Sequence, residues 1–296
     1  MKIGFIGCVE SSKLALQTLL SIKEVKVSCV VTKEKSKINA DFVDLTDLCN
    51  EHKIPYHFEK IKEKEATLNF LKSHDLDVIY CIGWSHLLNK DVITLTPKGV
   101  IGFHPAKIPQ NRGRHPIIWA LSLGLEQTAS SFFKMDEGAD SGDILSQELV
   151  NIEKSDNAKT LYNKIMDTAL EQIKKFSVDL ANNTATFIQQ DHSQATYWRK
   201  RSRKDGVIDF RMNASSIYNL VRALTDPYPG AEFIFNEEYF RVYSSEVSSN
   251  EFAQNIEPGK ILDKKDNALL VKCAQKEAIW LRDIQGSNLP SVGEFI

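Results

Sequence analysis

Short apolar runs alternate with amphipathic stretches along the first half of the chain. Near-continuous apolar runs, which predict buried strands, lie at residues 2–7, 25–32, 76–82 and 99–104. Apolar residues recur at helical spacing over 12–22 and 63–73, and these two segments predict helices. Strands that are apolar throughout and alternate with helices are typical of a mostly parallel sheet covered on both faces. We therefore expect an α/β fold in this half.

The pattern changes in the second half. Residues 158–180 predict a long helix, and a polar stretch and a basic cluster, WRKRSRKDG at 198–206, follow it. A further helix is predicted at 215–224. Short strand patterns then lie at 231–235, 239–244, 259–262, 269–273 and 279–284. They predict a small antiparallel, OB-like domain, so we expect an N-terminal domain at 1–190 and a linker with a C-terminal domain at 191–296.

Composition and charge narrow the class of protein. The 296 residues are 42% hydrophobic and 26% charged, with 37 Lys and Arg against 39 Asp and Glu, so the net charge is −2. This balance does not suggest a basic nucleic-acid binder, and no apolar run reaches the roughly 20 residues that cross a bilayer. The strand pattern begins at residue 2, and we expect no signal peptide.

The five cysteines argue against a disulfide framework and against a zinc site. Their number is odd, and no two of them form a CxxC pair. Cys8, Cys29 and Cys81 lie in or beside apolar strand patterns, and we expect them to be small buried hydrophobic residues. Unpaired cysteines are typical of a reducing compartment, so we expect a cytoplasmic protein. We also expect no bound metal, because no CxxC pair is present, and no membrane partner, because no apolar run is long enough to cross a bilayer.

Gly4 and Gly7 follow the first strand pattern, where a nucleotide-binding loop could lie. The positions after them do not complete the GxGxxG phosphate loop. A plain turn between a strand and a helix is therefore the better interpretation.

Candidate catalytic residues concentrate between residues 99 and 145. His104 ends a predicted strand, at the edge where open α/β sheets bind ligands. Arg112 and Arg114 flank Gly113, and MDEGADSGD at 135–143 is an acidic, glycine-rich loop. A lone histidine is more often structural, and an acidic loop can be an exposed turn or a metal loop, although the calcium-binding EF-hand spacing is absent. The residues alone leave these alternatives open.

Two motifs in this segment resemble those of a known family. GFHPAKIPQNRGR is similar to N-x-H-P/G-S-x-L-P-x-x-R-G, and the later MDEGADSGDIL is similar to M-D-x-G-x-D-x-G. Both patterns belong to the 10-formyltetrahydrofolate-dependent formyltransferases. LDVIYCIGWSHLL, QATYWRKRSRKDGVIDF and VRALTDPYPGAEF extend the resemblance over nearly the whole chain. It implies a Rossmann-like N-terminal sheet, a formyl-transferring enzyme and 10-formyltetrahydrofolate as the formyl donor.

The resemblance also implies roles for individual residues. His104 matches the general base, and Asp140 matches the carboxylate that stabilises its charged form; a plain turn residue is the alternative for Asp140. The pterin of the folate is expected between the loops at 84–88 and 136–140, and one of the two leucines there could instead belong to the core. The residues that match the folate site are His86, Leu87, Leu88, Arg114, Asp136, Glu137, Gly138 and Ala139.

Gly102 departs from the family pattern at a position that matters for catalysis. The family has an asparagine there, whose amide helps stabilise the oxyanion, and loss of one such donor typically costs about 2.7–4 kcal/mol. Asn111 is the nearest amide in sequence and is our candidate substitute, with Trp84 and Ser85 as more distant options. Protonated His104 could instead act alone, or the enzyme could be slow or use a shifted chemistry.

The acceptor of the formyl group is a separate question. From residue 191 onward the chain has 14 Lys and Arg against 15 Asp and Glu, so a broad basic surface for tRNA is not expected. RGRHPIIWAL and RKDGVIDF resemble the sugar-nucleotide N-formyltransferases, which act on amino sugars of surface polysaccharides such as O-antigen lipopolysaccharide. We expect a nucleotide-linked amino sugar as substrate, no nucleic-acid partner and, from the resemblance, a homodimer. Candidate substrate contacts are Trp84, Ser85, Arg112, Arg199 and Lys200.

Two alternatives stay open. The first is methionyl-tRNA formylation, which the charge balance disfavours. The second is a folate- or nucleotide-binding homologue that is weakened in catalysis, and Gly102 motivates it. Arg112 could also serve to anchor its loop, and Trp84 and Trp198 could pack in the core or stack on a ligand ring.

Overall fold

The computed structural model describes residues 1–35, 41–60 and 64–296. These residues form two compact units. The first unit consists of Met1–Gly113, Ala129–Val150 and Lys164–Tyr197, and the second consists of Arg114–Thr128, Asn151–Asn163 and Trp198–Ile296. The second unit thus contains two short segments from before residue 190, which no change in the sequence pattern marks.

A mostly parallel sheet forms the centre of the first unit. The strands up to residue 198 are β1 (Lys2–Ile6), β2 (Lys26–Thr32), β3 (Tyr56–Phe58), β4 (Val78–Cys81), β5 (Val100–His104), β6 (Arg112–Gly113), β7 (Gln127–Lys134), β8 (Ile144–Asn151) and β9 (Tyr197–Trp198). Among the described residues, seven of them form one sheet in the order β3-β2-β1-β4-β5-β7-β8, and β6 pairs with β9. β1 to β5 pair in parallel, whereas β7 runs antiparallel to β5. The predicted mostly parallel sheet is confirmed.

Long helices agree with the sequence pattern better than short ones do. The helices in the described part of the chain are α1 (Glu10–Leu20), α2 (Thr46–Glu51), α3 (Lys64–Lys72), α4 (Lys90–Ile93), α5 (Pro116–Ser122), α6 (Ala158–Ala181) and α7 (Ala214–Leu224). The four predicted helices are confirmed as α1, α3, α6 and α7, with residue 63 outside the described residues. The others were missed because one or two turns show too little periodicity. None of these described helices has the length and apolarity that a membrane span requires.

Aromatic side chains hold α6 against the sheet of the first unit. Tyr80 of β4 stacks on Phe176 of α6 with ring centroids 5.8 Å apart, and Phe132 of β7 lies 4.8 Å from the same ring. The hydroxyl of Tyr80 is hydrogen-bonded to Ser177 Oγ at 2.8 Å. Burial raises the pKa of Tyr80, so its phenol stays neutral. The apolar stripe of α6 is therefore the face that binds the sheet.

An antiparallel sheet dominates the second unit. Its strands are β10 (Ala231–Phe235), β11 (Glu238–Val247), β12 (Ile261–Lys265), β13 (Ala268–Lys272) and β14 (Ala278–Gln285), in the order β10-β11-β14-β13-β12. Phe233 and Phe240 are buried and stack across β10 and β11 with centroids 5.0 Å apart. Helix α7 packs against β11. The predicted antiparallel C-terminal region is confirmed.

The cysteines are structural. All five are buried and free of disulfides. Burial raises the pKa of the Cys8 thiol to about 11 and that of the Cys81 thiol to about 12. Both therefore stay protonated near neutral pH and pack as small apolar side chains, as the sequence predicts.

Candidate active site

His104 lies at the carboxyl end of β5, next to the point where the sheet changes from parallel to antiparallel pairing. It pairs with Ser131 of β7 and is 4% exposed. Its Nδ1 atom lies 3.5 Å from Oδ2 of Asp140. The structure thus brings together the histidine and the carboxylate from the two separate motifs.

The second ring nitrogen of His104 is also engaged. Nε2 lies 2.8 Å from the backbone carbonyl oxygen of Asn111. A carbonyl oxygen only accepts, so Nε2 carries a hydrogen in this arrangement. The imidazole is thus held between the Asn111 carbonyl oxygen on one side and the Asp140 carboxylate on the other.

Left-handed backbone conformations place both partners of the imidazole. Asn111 has φ 65° and Asp140 has φ 53°. Asn and Asp tolerate this conformation better than other non-glycine residues, because their short polar side chains can bond locally. Oδ2 of Asp140 also accepts the backbone N–H of Gly113 at 2.9 Å. Asn111 therefore enters the site through its backbone carbonyl, which the sequence did not indicate; the role proposed for its amide stays a prediction.

A buried network holds the two loops behind Asp140. Gln190 Nε2 donates to the carbonyl oxygens of Asp140 at 2.9 Å and Gly142 at 2.5 Å. Gln190 Oε1 accepts from Arg112 Nε at 3.2 Å and Nη2 at 2.6 Å, and Arg112 Nη1 donates to the Tyr197 hydroxyl at 2.8 Å. Arg112 is 1% exposed, so the geometry favours the anchoring role over a substrate contact. Sequence reasoning missed Gln190, because a glutamine in a polar stretch forms no pattern.

Other side chains fill the space beside Gly102. A Cβ atom at this position would lie 2.8 Å from Cγ of Met135 and 3.1 Å from Cζ of Phe133, closer than ordinary contact. Met135 follows β7, and its backbone N–H donates to the carbonyl of Val100 at 2.7 Å. The room that an asparagine side chain would need is therefore taken by a thioether and an aromatic ring.

Gly102→Asn is expected to lower the free energy of unfolding by about 1–3 kcal/mol, because added atoms overpack a filled site. Denaturant unfolding of this variant, of Met135→Ala and of the double variant measures the effect. The double variant should be more stable than the sum of the single effects predicts, since removal of the Met135 side chain makes room. A Gly102→Asn protein as stable as the parent would contradict this expectation.

A cleft of about 300 Å³ opens beside the acidic loop. Met135, Asp136 and Glu137 line one side of it, and Lys90 and Ile93 of α4 line the other. Lys90 Nζ forms an ion pair with Glu137 Oε1 at 2.6 Å. The acidic loop was expected to border a ligand, whereas α4 was not singled out, because a four-residue helix leaves no pattern. Thr94, Thr96, Gly99 and Lys134 complete the lining, and Gly99 and Lys134 lie near the amino end of β5.

The loop after β4 has packed and exposed positions. Trp84 and Leu88 pack against the apolar core of the first unit, so Leu88 takes the core role that the sequence left open. Leu87 is 79% exposed, as a ligand contact would be before binding. Ser85 and His86 are half-buried, and the His86 ring lies edge-on to Trp84 with centroids 6.2 Å apart.

Asp136 shapes the acidic loop from within. Its Oδ1 atom accepts the backbone N–H of Gly138 at 2.9 Å and the hydroxyl of Ser141 at 2.6 Å. Gly138 and Ala139 are exposed at the tip of the loop, where their backbone groups are accessible. No group of side chains suited to a metal ion occurs among the described residues. The loop is therefore held by its own hydrogen bonds.

Within the second unit, Arg199 is already paired. Its guanidinium contacts both carboxylate oxygens of Asp205 and lies 5.3 Å from the centre of the Trp119 ring. Arg201 lies 4.7 Å from the same ring. Trp119 Nε1 donates to the carbonyl of Arg199 at 3.0 Å. The basic cluster is thus organised around one indole.

Further positive charge surrounds His115 in the same unit. Burial lowers the pKa of its imidazole, and the nearby charges of Arg114, Arg201 and Lys200 lower it further, with Asp205 opposing them. Arg114 and Lys200 are exposed. The predicted basic residues therefore form a local cationic cluster within this unit.

Two family models match the chain. The formyl transferase model matches residues 2–175, and the model of the formyl transferase C-terminal domain matches residues 200–292. A methionyl-tRNA formyltransferase of Staphylococcus epidermidis is 30% identical over 289 residues, which cover 96% of this chain and 91% of the relative. The bifunctional polymyxin resistance protein ArnA of Wigglesworthia glossinidia brevipalpis is 29% identical over 276 residues. That match covers 93% of this chain but 40% of ArnA, so the chain spans less than half of that relative.

Solved structures share the fold. An N-formyltransferase from Helicobacter canadensis, in complex with folinic acid and dTDP-3-aminofucose, has a TM-score of 0.73 at 15% identity and covers 95% of this chain and 98% of that chain. WlaRD, a sugar 3N-formyl transferase with dTDP and 5-N-formyl-THF, has a TM-score of 0.71 at 15% identity, covering 95% and 97%. With a family model matched over residues 2–175 and a relative 30% identical over nearly its whole length, the chain belongs to the formyl transferase family.

Proposed function

We propose that this formyl-transferring enzyme moves the formyl group of 10-formyltetrahydrofolate to the amine of a nucleotide-linked amino sugar. The observation that carries the proposal is His104, which lies between the Asn111 carbonyl and the Asp140 carboxylate at the carboxyl edge of the sheet. The folate donor is supported by structural neighbours that hold folinic acid or 5-N-formyl-THF.

The reaction needs a group that takes and returns a proton. A bond forms from the amine nitrogen to the formyl carbon, and the bond from that carbon to the folate nitrogen breaks. The amine loses a proton and the folate nitrogen gains one. In the proposed mechanism the amine gives its proton to Asp140, whose side chain is 21% exposed, against 6% for that of His104. His104 then supports the carboxylate from behind and exchanges the proton with it.

The residues around the cleft suit a folate. The folate supplies a formyl group already bonded to a nitrogen that can leave. Met135 and Ile93 offer apolar walls, and the exposed backbone of Gly138 and Ala139 can approach a ring edge closely. Met135 fills the space beside Gly102, so the group that stabilises the oxyanion must come from another element. The side-chain amide of Asn111 is our candidate for this donor.

The acceptor is inferred from charge. The cationic cluster around Trp119 and His115 is local, which suits a diphosphate better than the long backbone of an RNA. WlaRD, described with dTDP, is a sugar 3N-formyl transferase. The N-formyltransferase from Helicobacter canadensis is described in complex with dTDP-3-aminofucose. Within this proposal the product serves a surface polysaccharide such as lipopolysaccharide, the enzyme is cytoplasmic, and the chain forms a homodimer.

Two observations favour other acceptors or a weaker activity. The curated relative at 30% identity is a methionyl-tRNA formyltransferase, which keeps methionyl-tRNA as the second candidate. The filled space at Gly102 favours a homologue that binds folate but transfers the formyl group slowly. A single formylation assay distinguishes these two candidates from a sugar-nucleotide N-formyltransferase.

Formyl transfer is tested with purified protein, 10-formyltetrahydrofolate and a panel of dTDP-, UDP- and GDP-linked amino sugars, with charged methionyl-tRNA alongside. Mass spectrometry detects the product that has gained one formyl group. We expect formylation of at least one amino sugar and none of the tRNA. Formylation of the tRNA alone would overturn the sugar assignment, and folate binding without transfer to any amine would favour the weakened homologue.

A further inference from the structure

Lys33 is a buried cation at the same sheet edge as His104. It directly follows β2, whose carboxyl end lies at that edge together with those of β1, β4 and β5. The residue is 8% exposed, and its Nζ atom lies 4.6 Å from the centre of the Trp84 ring. No role in the chemistry described above explains why a lysine is buried here.

Among the described residues the Lys33 ammonium has no ion-pair partner, although the sheet register makes Glu59 a neighbour of Thr32. Thr32 of β2 is paired with Phe58 of β3, so Glu59 is the next neighbour in register, and the Glu59 N–H donates to Thr32 at 2.9 Å. Among the described residues, however, no carboxylate forms an ion pair or a hydrogen bond with the Lys33 ammonium, which lies over the indole instead. Burial of an ammonium group without an anion is unfavourable, and contact with an aromatic face compensates only in part.

Other buried polar atoms near Lys33 also lack hydrogen-bond partners. Within the described part of the chain these are Thr32 Oγ1, Glu59 Oε2 and Trp84 Nε1. They come from the ends of β2 and β3 and from the loop after β4. Buried polar atoms without partners are uncommon in folded proteins, and several in one place indicate that a ligand completes the hydrogen bonds.

The pKa of the Cys8 thiol shows which charged groups lie near this end of the sheet. Burial is the main reason that its pKa is raised to about 11; Lys33 acts in the opposite direction, and Asp41 and Glu59 act in the same direction as burial. Cys8 follows β1, between the strands that precede Lys33 and Trp84. One ammonium and two carboxylates therefore act on the same position, and a ligand that carries both an anionic oxygen and hydroxyl groups can use both kinds of group.

We propose that Lys33 and Trp84 form a subsite that binds an anionic oxygen group, a phosphate or a carboxylate, of a substrate whose reacting end lies at His104. β2, β1, β4 and β5 are successive in the sheet, and strands lie about 4.8 Å apart, so Lys33 and His104 are separated by roughly 14 Å at the backbone. The Lys33 Nζ atom lies over Trp84 in the loop after β4, on the side of the strand that leads to His104. The reaction assigned to His104 rests on the proposed function, whereas binding of an anion at Lys33 and Trp84 does not depend on it.

Isothermal titration calorimetry of the full chain tests the subsite with three probes: dTDP, inorganic pyrophosphate and folinic acid. Lys33→Met keeps an unbranched side chain and removes the charge. We expect it to raise the dissociation constant of at least one probe about tenfold or more, since a lost hydrogen bond to a charged group has this size. Lys26→Met is the matched control, because Lys26 is exposed at the opposite end of the same strand, and it should bind all probes as the parent does.

The probes distinguish the two sources of the anion. Weaker binding of dTDP and pyrophosphate assigns a phosphate of the acceptor to Lys33 in place of the cluster around Trp119 and His115, and weaker binding of folinic acid assigns a carboxylate of the folate. A Lys33→Met protein that binds every probe with parental affinity, or a parent chain that binds none of them, overturns the proposal. Circular dichroism confirms folding, and Lys33→Gln replaces Lys33→Met if the latter does not fold. Calorimetry measures binding without turnover, so its result stands even if the protein transfers no formyl group.

Discussion

Asp140→Asn is expected to lower kcat by about two to four orders of magnitude, the range typical of lost acid–base catalysis. Asparagine has nearly the same size and its carbonyl oxygen can still accept the Gly113 N–H, so the loop should keep its shape. The substitution removes the negative charge that lies 3.5 Å from Nδ1 of His104. The His104 ring then loses its charged partner, and the amine loses the group proposed to take its proton.

Single-turnover formyl transfer measures this loss, and calorimetry with folinic acid measures folate affinity, which should change far less. Asp143→Asn is the matched control, since Asp143 is an exposed acid of the same loop and should allow parental turnover. An Asp140→Asn enzyme within a few-fold of the parent would remove Asp140 from the mechanism.

His104→Gln is expected to reduce kcat by a similar two to four orders of magnitude, about the full contribution of proton transfer. The glutamine amide can still donate to the Asn111 carbonyl, so this buried acceptor need not lose its partner. Because His104 and Asp140 act as one unit, the variant that carries both substitutions should be hardly slower than the slower single variant.

The same single-turnover assay checks this expectation, with His52→Gln as the control. His52 is exposed and lies outside the site, so its substitution should leave turnover unchanged. If the losses of the two single variants multiply in the double variant, the two residues act independently and the paired mechanism is wrong.

The main elements of the fold were predictable because their apolar patterns are strong. The four near-continuous apolar runs became β1, β2, β4 and β5, and the stripe of α6 became the face that packs on Tyr80. β7 was missed since two serines interrupt its apolar residues, although both are buried. The short α4 and α5 were missed because a helix of one or two turns shows no period.

The candidate site was predictable only in part. The motifs named His104 and Asp140, and the structure places them 3.5 Å apart. The Asn111 carbonyl could not be found, since any residue has a carbonyl and only the left-handed backbone at this position aims it at Nε2. The obstacle at Gly102 is likewise tertiary, because Met135 belongs to a distant strand end.

By itself, then, the sequence determined the main strands and helices of both units, the two residues proposed to transfer the proton and the departure at Gly102. Only the tertiary structure decided which groups meet those residues: the carbonyl that holds His104, the Gln190 network behind Asp140 and the unpaired ammonium of Lys33 over Trp84. The reason is physical. Hydrophobic periodicity and motif spacing record contacts within a segment, whereas hydrogen bonds between distant segments depend on how the chain packs, which a local pattern does not contain.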